Sequence, residues 1–138
     1  MWYDCCMKMY VTSRFDSAVA NKADIEQLCL AVRASGYIDF SFIRDIEQFD
    51  PDHFRTQKEV WDASLAHLRK CDALLVDVSD IPSGGRIVEV GMAFALEKPI
   101  YVVCKSGVLY KNFYRGVAAK IIEYEEINDI TEQLKLNN

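Results

Sequence analysis

One carboxylate, Glu89, lies inside an otherwise apolar stretch of the sequence, residues 87–93. Glu89 follows the glycine-containing loop Asp80–Gly85 and lies between Val88 and Val90. The composition predicts a helix over 86–96, which places Glu89 in its first turn, leaning back towards the loop. Two interpretations are open: favourable electrostatics with the helix dipole, or a reactive group directed into the loop crevice. Because burial of a carboxylate is costly, the apolar setting favours a reactive group.

The loop before this helix has the features of an anion site. Ser83, Gly84 and Gly85 place a hydroxyl and backbone N–H groups ahead of a helix N-terminus, which suits a phosphate. Arg14, from a second polar loop, can add a bidentate contact. The alternative is an ordinary glycine turn beside a surface arginine. The loop is neither a P-loop nor a dinucleotide fingerprint, because both glycine spacings are absent.

Other polar residues are weaker candidates. Tyr10 points from the first strand towards the same end of the sheet, as a site residue or as a core aromatic. Asp77 ends the third strand, where it either faces the crevice or caps the loop. His53 and His67 share no spacing with a nucleophile or a ligand set. We therefore predict no catalytic triad, no metal site and no cofactor.

These residues need a scaffold of alternating strands and helices. Short apolar runs predict strands at 7–12, 38–42, 73–78, 100–104 and 121–124. Helical patterns predict helices at about 17–35 (capped by Asp16 or Ser17), 54–69, 86–96 and 126–136, and 44–53 reads as a polar loop. The alternation predicts a flavodoxin- or Rossmann-like three-layer α/β sandwich with a parallel sheet of order 2-1-3-4-5. Its switch point brings loops 12–16 and 77–85 into one crevice.

Composition limits the classes of function. The 138 residues are predicted to form one domain, with 1–6 as an irregular extension, and the net charge is −5. That charge argues against nucleic acid or an anionic membrane as the main partner. No apolar run approaches the ~18 residues of a membrane span. Five cysteines without metal-type spacing predict reduced thiols and a cytoplasmic location.

Several motifs together resemble the nucleoside 2-deoxyribosyltransferase family. They are a tyrosine in strand 1, D-A-x-x-V from Asp72, S-x-G-x-x-x-E-x-G-x-A from Ser83, and K-P-I-Y from Lys98. The chain most resembles the branch of 2′-deoxynucleoside 5′-phosphate N-hydrolases. Where Ser83 stands, the transferase branch usually has an Asp that binds the sugar 5′-hydroxyl. A serine there suits a phosphate, since a hydroxyl does not repel it.

The resemblance implies a mechanism and a set of site residues. Glu89 would attack C1′ of a nucleotide, and water or an acceptor base would resolve the glycosyl-enzyme. Tyr10 would orient Glu89. The 5′-end of the substrate would be anchored by residues from the two loops: Ser13, Arg14, Ser83 and Gly85. Lys111 would reach the phosphate site of a neighbouring subunit, so we expect a homodimer or a larger homo-oligomer.

One departure from the family pattern concerns the second acidic residue. The family usually has an Asp on helix 2 near the base or the sugar, and Ser64 stands there. Three alternatives to a nucleotide N-hydrolase therefore stay open at this point. They are a nucleoside 2-deoxyribosyltransferase, a non-catalytic nucleotide-binding or TIR-like module, and a TIR-like NAD glycohydrolase.

Overall fold

Five parallel strands form the centre of the molecule, in the order β2-β1-β3-β4-β5. The computed structural model describes residues 6–15, 18–80, 84–108 and 112–135, and for 18–20 it describes the backbone only. The strands are β1 (Lys8–Thr12), β2 (Ile38–Phe40), β3 (Ala73–Asp77), β4 (Ile100–Lys105) and β5 (Lys120–Tyr124). The helices are α1 (Ala18–Ala34), α2 (Gln57–Lys70), α3 (Gly84–Ala95), α4 (Phe113–Val117) and α5 (Ile127–Lys135). The predicted fold class and strand order are confirmed.

Helices cover both faces of the sheet, and strand alternation decides which side chains meet which layer. Met9 and Val11 of β1 pack in the core formed with α1 and α5. Tyr10 faces the opposite core, formed with α2 and α3. The apolar periodicity predicted for α1 is also confirmed, since its four positions are buried: Ile25, Leu28, Cys29 and Val32.

The segment after β2 differs from the prediction. The strand ends at Phe40, and a π-helical turn, Phe42–Ile46, occupies part of the predicted polar loop. The side chain of Ser41 accepts the N–H of Arg44 at 3.2 Å, and Asp45 Oδ2 accepts the N–H of Ser41 at 3.0 Å. These local hydrogen bonds end the strand, because they offer the backbone an alternative to the ladder.

Two helices begin two or three residues away from their predicted starts. α2 begins at Gln57 because Thr56 Oγ1 accepts the N–H of Glu59, a hydrogen bond that caps a helix start. α3 already includes the two glycines at its N-terminus, so Glu89 lies beyond the first turn. The predicted caps of α1, residues 16 and 17, lie outside the described residues. α4 is a short helix that no pattern predicted.

Across the part of the chain described above, no helix has the length and apolar character needed to cross a membrane.

Candidate active site

Glu89 is held by two hydroxyl groups from β1. Tyr10 Oη donates to Glu89 Oε2 at 2.5 Å, and Thr12 Oγ1 donates to Glu89 Oε1 at 2.7 Å. Ser64 of α2 completes the arrangement, with its Oγ at 2.8 Å from Tyr10 Oη. We call these four residues the Glu89 cluster. Both carboxylate oxygens therefore have a fixed partner, which fixes the plane of the carboxylate.

The strand geometry explains why two β1 residues reach one carboxylate. Tyr10 and Thr12 are two positions apart, so their side chains point to the same face of the sheet. That face is covered by α2 and α3, which supply Ser64 and Glu89. All four residues are buried, with Glu89 at 8% exposure.

Burial sets the protonation behaviour of the cluster. It raises the pKa of Glu89, while the hydrogen bonds from Tyr10 and Thr12 act in the opposite direction. The pKa of Tyr10 is raised far above its ordinary value by burial and by the charge of Glu89. The phenol thus stays protonated and remains the donor. An oriented, poorly solvated carboxylate of this kind is suited to nucleophilic attack.

Glu89 lies in a cavity of about 360 Å³, a size typical of small-molecule sites. Four aromatic side chains contribute to its walls: Phe15, Phe42, Phe49 and Trp61. The rings of Phe15 and Phe49 lie 5.7 Å apart between centroids. A flat aromatic ligand fits such walls, because aromatic rings pack favourably in stacked or tilted pairs.

The loop after β1 lines the same cavity. Ser13, Arg14 and Gly85, three of the predicted site residues, are part of its wall. The side chain of Asn21 in α1 donates to the carbonyl oxygen of Arg14, which fixes the path of this loop. The predicted residues Ser83 and Lys111 lie outside the described residues.

Asp77 lies on the other face of the sheet from Glu89. Its Oδ1 accepts the backbone N–H and the hydroxyl of Ser79, and its Oδ2 accepts the hydroxyl of Tyr124 at 3.0 Å. It lines a second cavity of about 370 Å³ beside α1. The reason is strand alternation, since Leu75 and Asp77 share one face and Val76 the other. The structure does not bring Asp77 to the Glu89 cluster.

Three residues of this region were missed in the sequence. Thr12 could have been found from its spacing of two from Tyr10. Arg86 is 2% exposed, and its Nη1 donates to the Asp77 carbonyl at 2.6 Å and to Asp80 Oδ1 at 2.7 Å. These bonds fasten the start of α3 to the end of β3. Glu47 lines the cavity from the loop after β2, and no motif marks it.

The histidines lie apart from the cavity walls. His67 stacks on Phe40 with 5.1 Å between centroids, and His53 packs against Phe54. In the described ranges, no group of three or more His, Cys, Asp or Glu residues could hold a metal ion.

Comparison with known proteins places this geometry in a family. The model of the family described as "Nucleoside 2-deoxyribosyltransferase" matches residues 10–127. The chain belongs to the nucleoside 2-deoxyribosyltransferase family. This match includes all four residues of the Glu89 cluster, which are Tyr10, Thr12, Ser64 and Glu89. A search of curated proteins finds no significant match. Family members are N-glycosidases or deoxyribosyltransferases, so the protein belongs to a family of enzymes.

Solved structures of similar fold include family enzymes. The CMP N-glycosidase BcmB of Clostridium botulinum is 19% identical, with a TM-score of 0.67 over 95% of this chain and 99% of that one. A 2-deoxyribosyltransferase of Bacillus psychrosaccharolyticus is 20% identical, with a TM-score of 0.67 over 92% and 95%. BlsM is 22% identical, with a TM-score of 0.72 over 96% and 95%. At these identities the likeness shows the nucleoside 2-deoxyribosyltransferase fold.

Proposed function

We propose that the protein cleaves the N-glycosidic bond of ribo- or deoxyribonucleoside 5′-monophosphates, releasing the base and the sugar 5-phosphate. The observation that carries the proposal is the buried Glu89 carboxylate, held by Tyr10 and Thr12 inside an aromatic-lined cavity. The base would lie between the aromatic walls, and C1′ would face Glu89. Family membership and the fold shared with a CMP N-glycosidase support this reading.

The Glu89 cluster would perform a retaining displacement. One oxygen of Glu89 attacks C1′ through an oxocarbenium-like transition state, and the base departs. Water then hydrolyses the glycosyl-enzyme. Tyr10 and Thr12 position the attacking carboxylate. Because its orientation is already fixed, less entropy is lost when it approaches C1′.

A phosphate at the 5′-end fits one part of the cavity lining. Arg14 and Ser13 line the cavity, and Gly85, which also lines it, belongs to the first turn of α3. An arginine, a hydroxyl and a helix N-terminus together favour an anion. The residue type at position 83 also supports a 5′-phosphate. A serine hydroxyl does not repel a phosphate, whereas a carboxylate at this position would.

The second candidate is a nucleoside 2-deoxyribosyltransferase. It would use the same Glu89 cluster, but its substrate would carry a free 5′-hydroxyl, and a second base would take the place of water. The fold shared with a 2-deoxyribosyltransferase supports this candidate. Arg14, which lines the cavity, favours the nucleotide hydrolase because its charge suits a phosphate.

Chromatographic detection of free base separates the candidates. Purified protein is incubated with ribo- and deoxyribonucleoside 5′-monophosphates, with the matching nucleosides, and with each plus a second base. We expect base release from the monophosphates alone, and none from Glu89→Ala. Release only from nucleosides, or only with an acceptor base, would support the transferase instead.

We also propose that the protein forms a homodimer through α3. The exposed face of this helix carries Ile87, Val88 and Phe94, while its charged residues Arg86 and Glu89 are buried. An uncharged apolar face of this kind is complementary to a second copy of itself. Light scattering should give twice the 15.8 kDa of one chain, and Phe94→Glu should give the monomer. A wild-type monomer would remove this proposal.

We also propose that the protein is located in the cytoplasm. The described cysteines Cys6, Cys29, Cys71 and Cys104 are all free thiols. Free thiols persist in reducing compartments, where nucleotide substrates are also found.

A further inference from the structure

A second carboxylate, that of Glu47, lines the cavity that holds the Glu89 cluster. Glu47 directly follows the π-helical turn, and its N–H donates to the Phe42 carbonyl at 2.9 Å. Its side chain is half-buried and lines the same cavity as Glu89. Within the described residues, no hydrogen bond or ion pair engages its carboxyl group. A half-buried acid without a fixed protein partner is available to a ligand.

The backbone beyond Glu47 is held in a conformation that ordinary residues avoid. Gln48 and Phe49 both have positive φ, at 54° and 58°, in the left-handed region that favours glycine. This double turn leaves Glu47 and Phe49 lining one cavity, with Phe49 beside Phe15. Local strain and π-helical turns are concentrated at functional sites. The carboxyl group of Glu47 and the aromatic ring of Phe49 therefore line the same cavity.

The electrostatic surroundings keep a proton on Glu47 more readily than on an exposed glutamate. Burial raises its pKa, and the charge of Asp50 adds to this, while His53 acts in the opposite direction. Its charge also contributes to the raised pKa of Glu89. Asp50 also lines the cavity, and the other charged groups in its lining are Arg14 and Arg86. The carboxylates of Glu47 and Glu89, which both line the cavity, are therefore coupled, since a charge on Glu47 disfavours ionisation of Glu89.

We infer that Glu47 binds the nucleobase and donates the proton that the base takes up as the N-glycosidic bond breaks. This inference rests on the proposed function and names the residue that assists the leaving group. Ser64, at the family's usual acidic position, cannot supply this proton, because an alcohol is far too weak an acid. Its hydroxyl is moreover buried against Tyr10.

The proposed step balances as follows. An oxygen of Glu89 forms a bond to C1′, and the C1′–N electron pair passes to the base. The carboxyl of Glu47 gives its proton to an acceptor atom of the base and becomes a carboxylate. Water then enters the space left by the base and attacks C1′, and its proton returns to Glu47. The C1′–O bond to Glu89 breaks, which regenerates the Glu89 carboxylate and leaves Glu47 protonated for the next turnover.

The variant Glu47→Gln tests this, with Asp52→Asn as a control. Asp52 is an exposed acid of the same segment, and the control makes the same change of charge. The first substrate is a nucleoside 5′-monophosphate cleaved by the wild type. The second is 4-nitrophenyl ribose 5-phosphate, whose leaving group departs without a proton. We expect Glu47→Gln to lower kcat on the nucleotide by about 10²-fold or more, and on the nitrophenyl substrate by less than about fivefold.

The pH profile provides a second readout. Because a general acid must be protonated, wild-type kcat should fall as the pH rises through the raised pKa of Glu47. The variant should lose this alkaline limb, and Asp52→Asn should keep it. An unchanged alkaline limb, or an equal loss on both substrates, would overturn the inference. A wild type that releases no base from any nucleotide would instead overturn the proposed function, and with it this inference.

Discussion

Tyr10 Oη donates to Glu89 Oε2 at 2.5 Å, although 79 residues separate the two in the chain. The bond joins β1 to α3 beside the switch point of the sheet, where ligands of open α/β sheets bind. Tyr10 is fully buried and also contacts Ser64 at 2.8 Å. The phenol is therefore fixed from two sides, and it fixes Glu89 in turn.

Tyr10→Phe should lower kcat by about 10- to 100-fold with little change in KM. A hydrogen bond to a charged group contributes about 1.5–3 kcal/mol, and this one acts on the attacking carboxylate. The variant should still fold, because its ring keeps the contact with Phe40 at 5.3 Å between centroids.

The pH profile of Tyr10→Phe provides a further check. The Tyr10 hydrogen bond lowers the pKa of Glu89, and attack needs the ionised form. The acid limb of kcat should therefore move to higher pH. Tyr37→Phe, which changes a buried tyrosine of the opposite core, is the control. An unchanged rate and acid limb in Tyr10→Phe would show that the bond has no part in catalysis.

Thr12→Val should reduce kcat by about tenfold. The change removes the 2.7 Å hydrogen bond to Glu89 Oε1 and keeps a β-branched shape that suits a strand. The second oxygen of Glu89 keeps its bond from Tyr10. Because both donors hold one carboxylate, the double variant with Tyr10→Phe should differ from the sum of the two effects. Steady-state kinetics of the four proteins measure this coupling, and strict additivity would contradict the account.

Glu89→Gln should change how stability depends on pH. The folded pKa of Glu89 lies above the ordinary value of 4.5, so the folded protein binds the proton more tightly than the unfolded chain. Wild-type stability should fall as the pH rises from that value through the folded pKa. The variant has no carboxyl group at this position and does not lose stability in this way. Its free energy of unfolding should therefore increase relative to that of the wild type as the pH rises between the two pKa values. Urea unfolding at several pH values measures it, and a constant difference would contradict the prediction.

The sheet and its order could be predicted because buried parallel strands are short apolar runs separated by helical patterns. The location of the crevice followed from that order alone. Glu89 could be singled out because the helical stretch around it, residues 87–93, is otherwise apolar. The sequence did not predict to which face of the sheet a side chain at the end of a strand points. Asp77 was a candidate and Thr12 was missed, yet the alternation of side chains along β3 places Asp77 in the other cavity.

The rest of the site depends on local structure without a clear signal in the sequence. Glu47 faces the cavity because a π-helical turn and two residues with positive φ follow β2. A polar, charged segment there predicts only a loop. In the sequence, Arg86 looks like an exposed arginine at the start of a helix. In the structure it is buried, and the Asp77 carbonyl and the Asp80 carboxylate accept its hydrogen bonds.

The most direct test of the account is mass spectrometry of the protein after reaction with a 2-deoxy-2-fluoro nucleoside 5′-monophosphate. The fluorine slows hydrolysis of a glycosyl-enzyme, so the intermediate should accumulate. We predict one equivalent of released base and one sugar phosphate bound to the peptide that contains Glu89. Glu89→Ala should give neither, and Glu132→Ala, an exposed glutamate of α5, should behave as wild type. Release of base without an adduct on Glu89 would contradict the central claim.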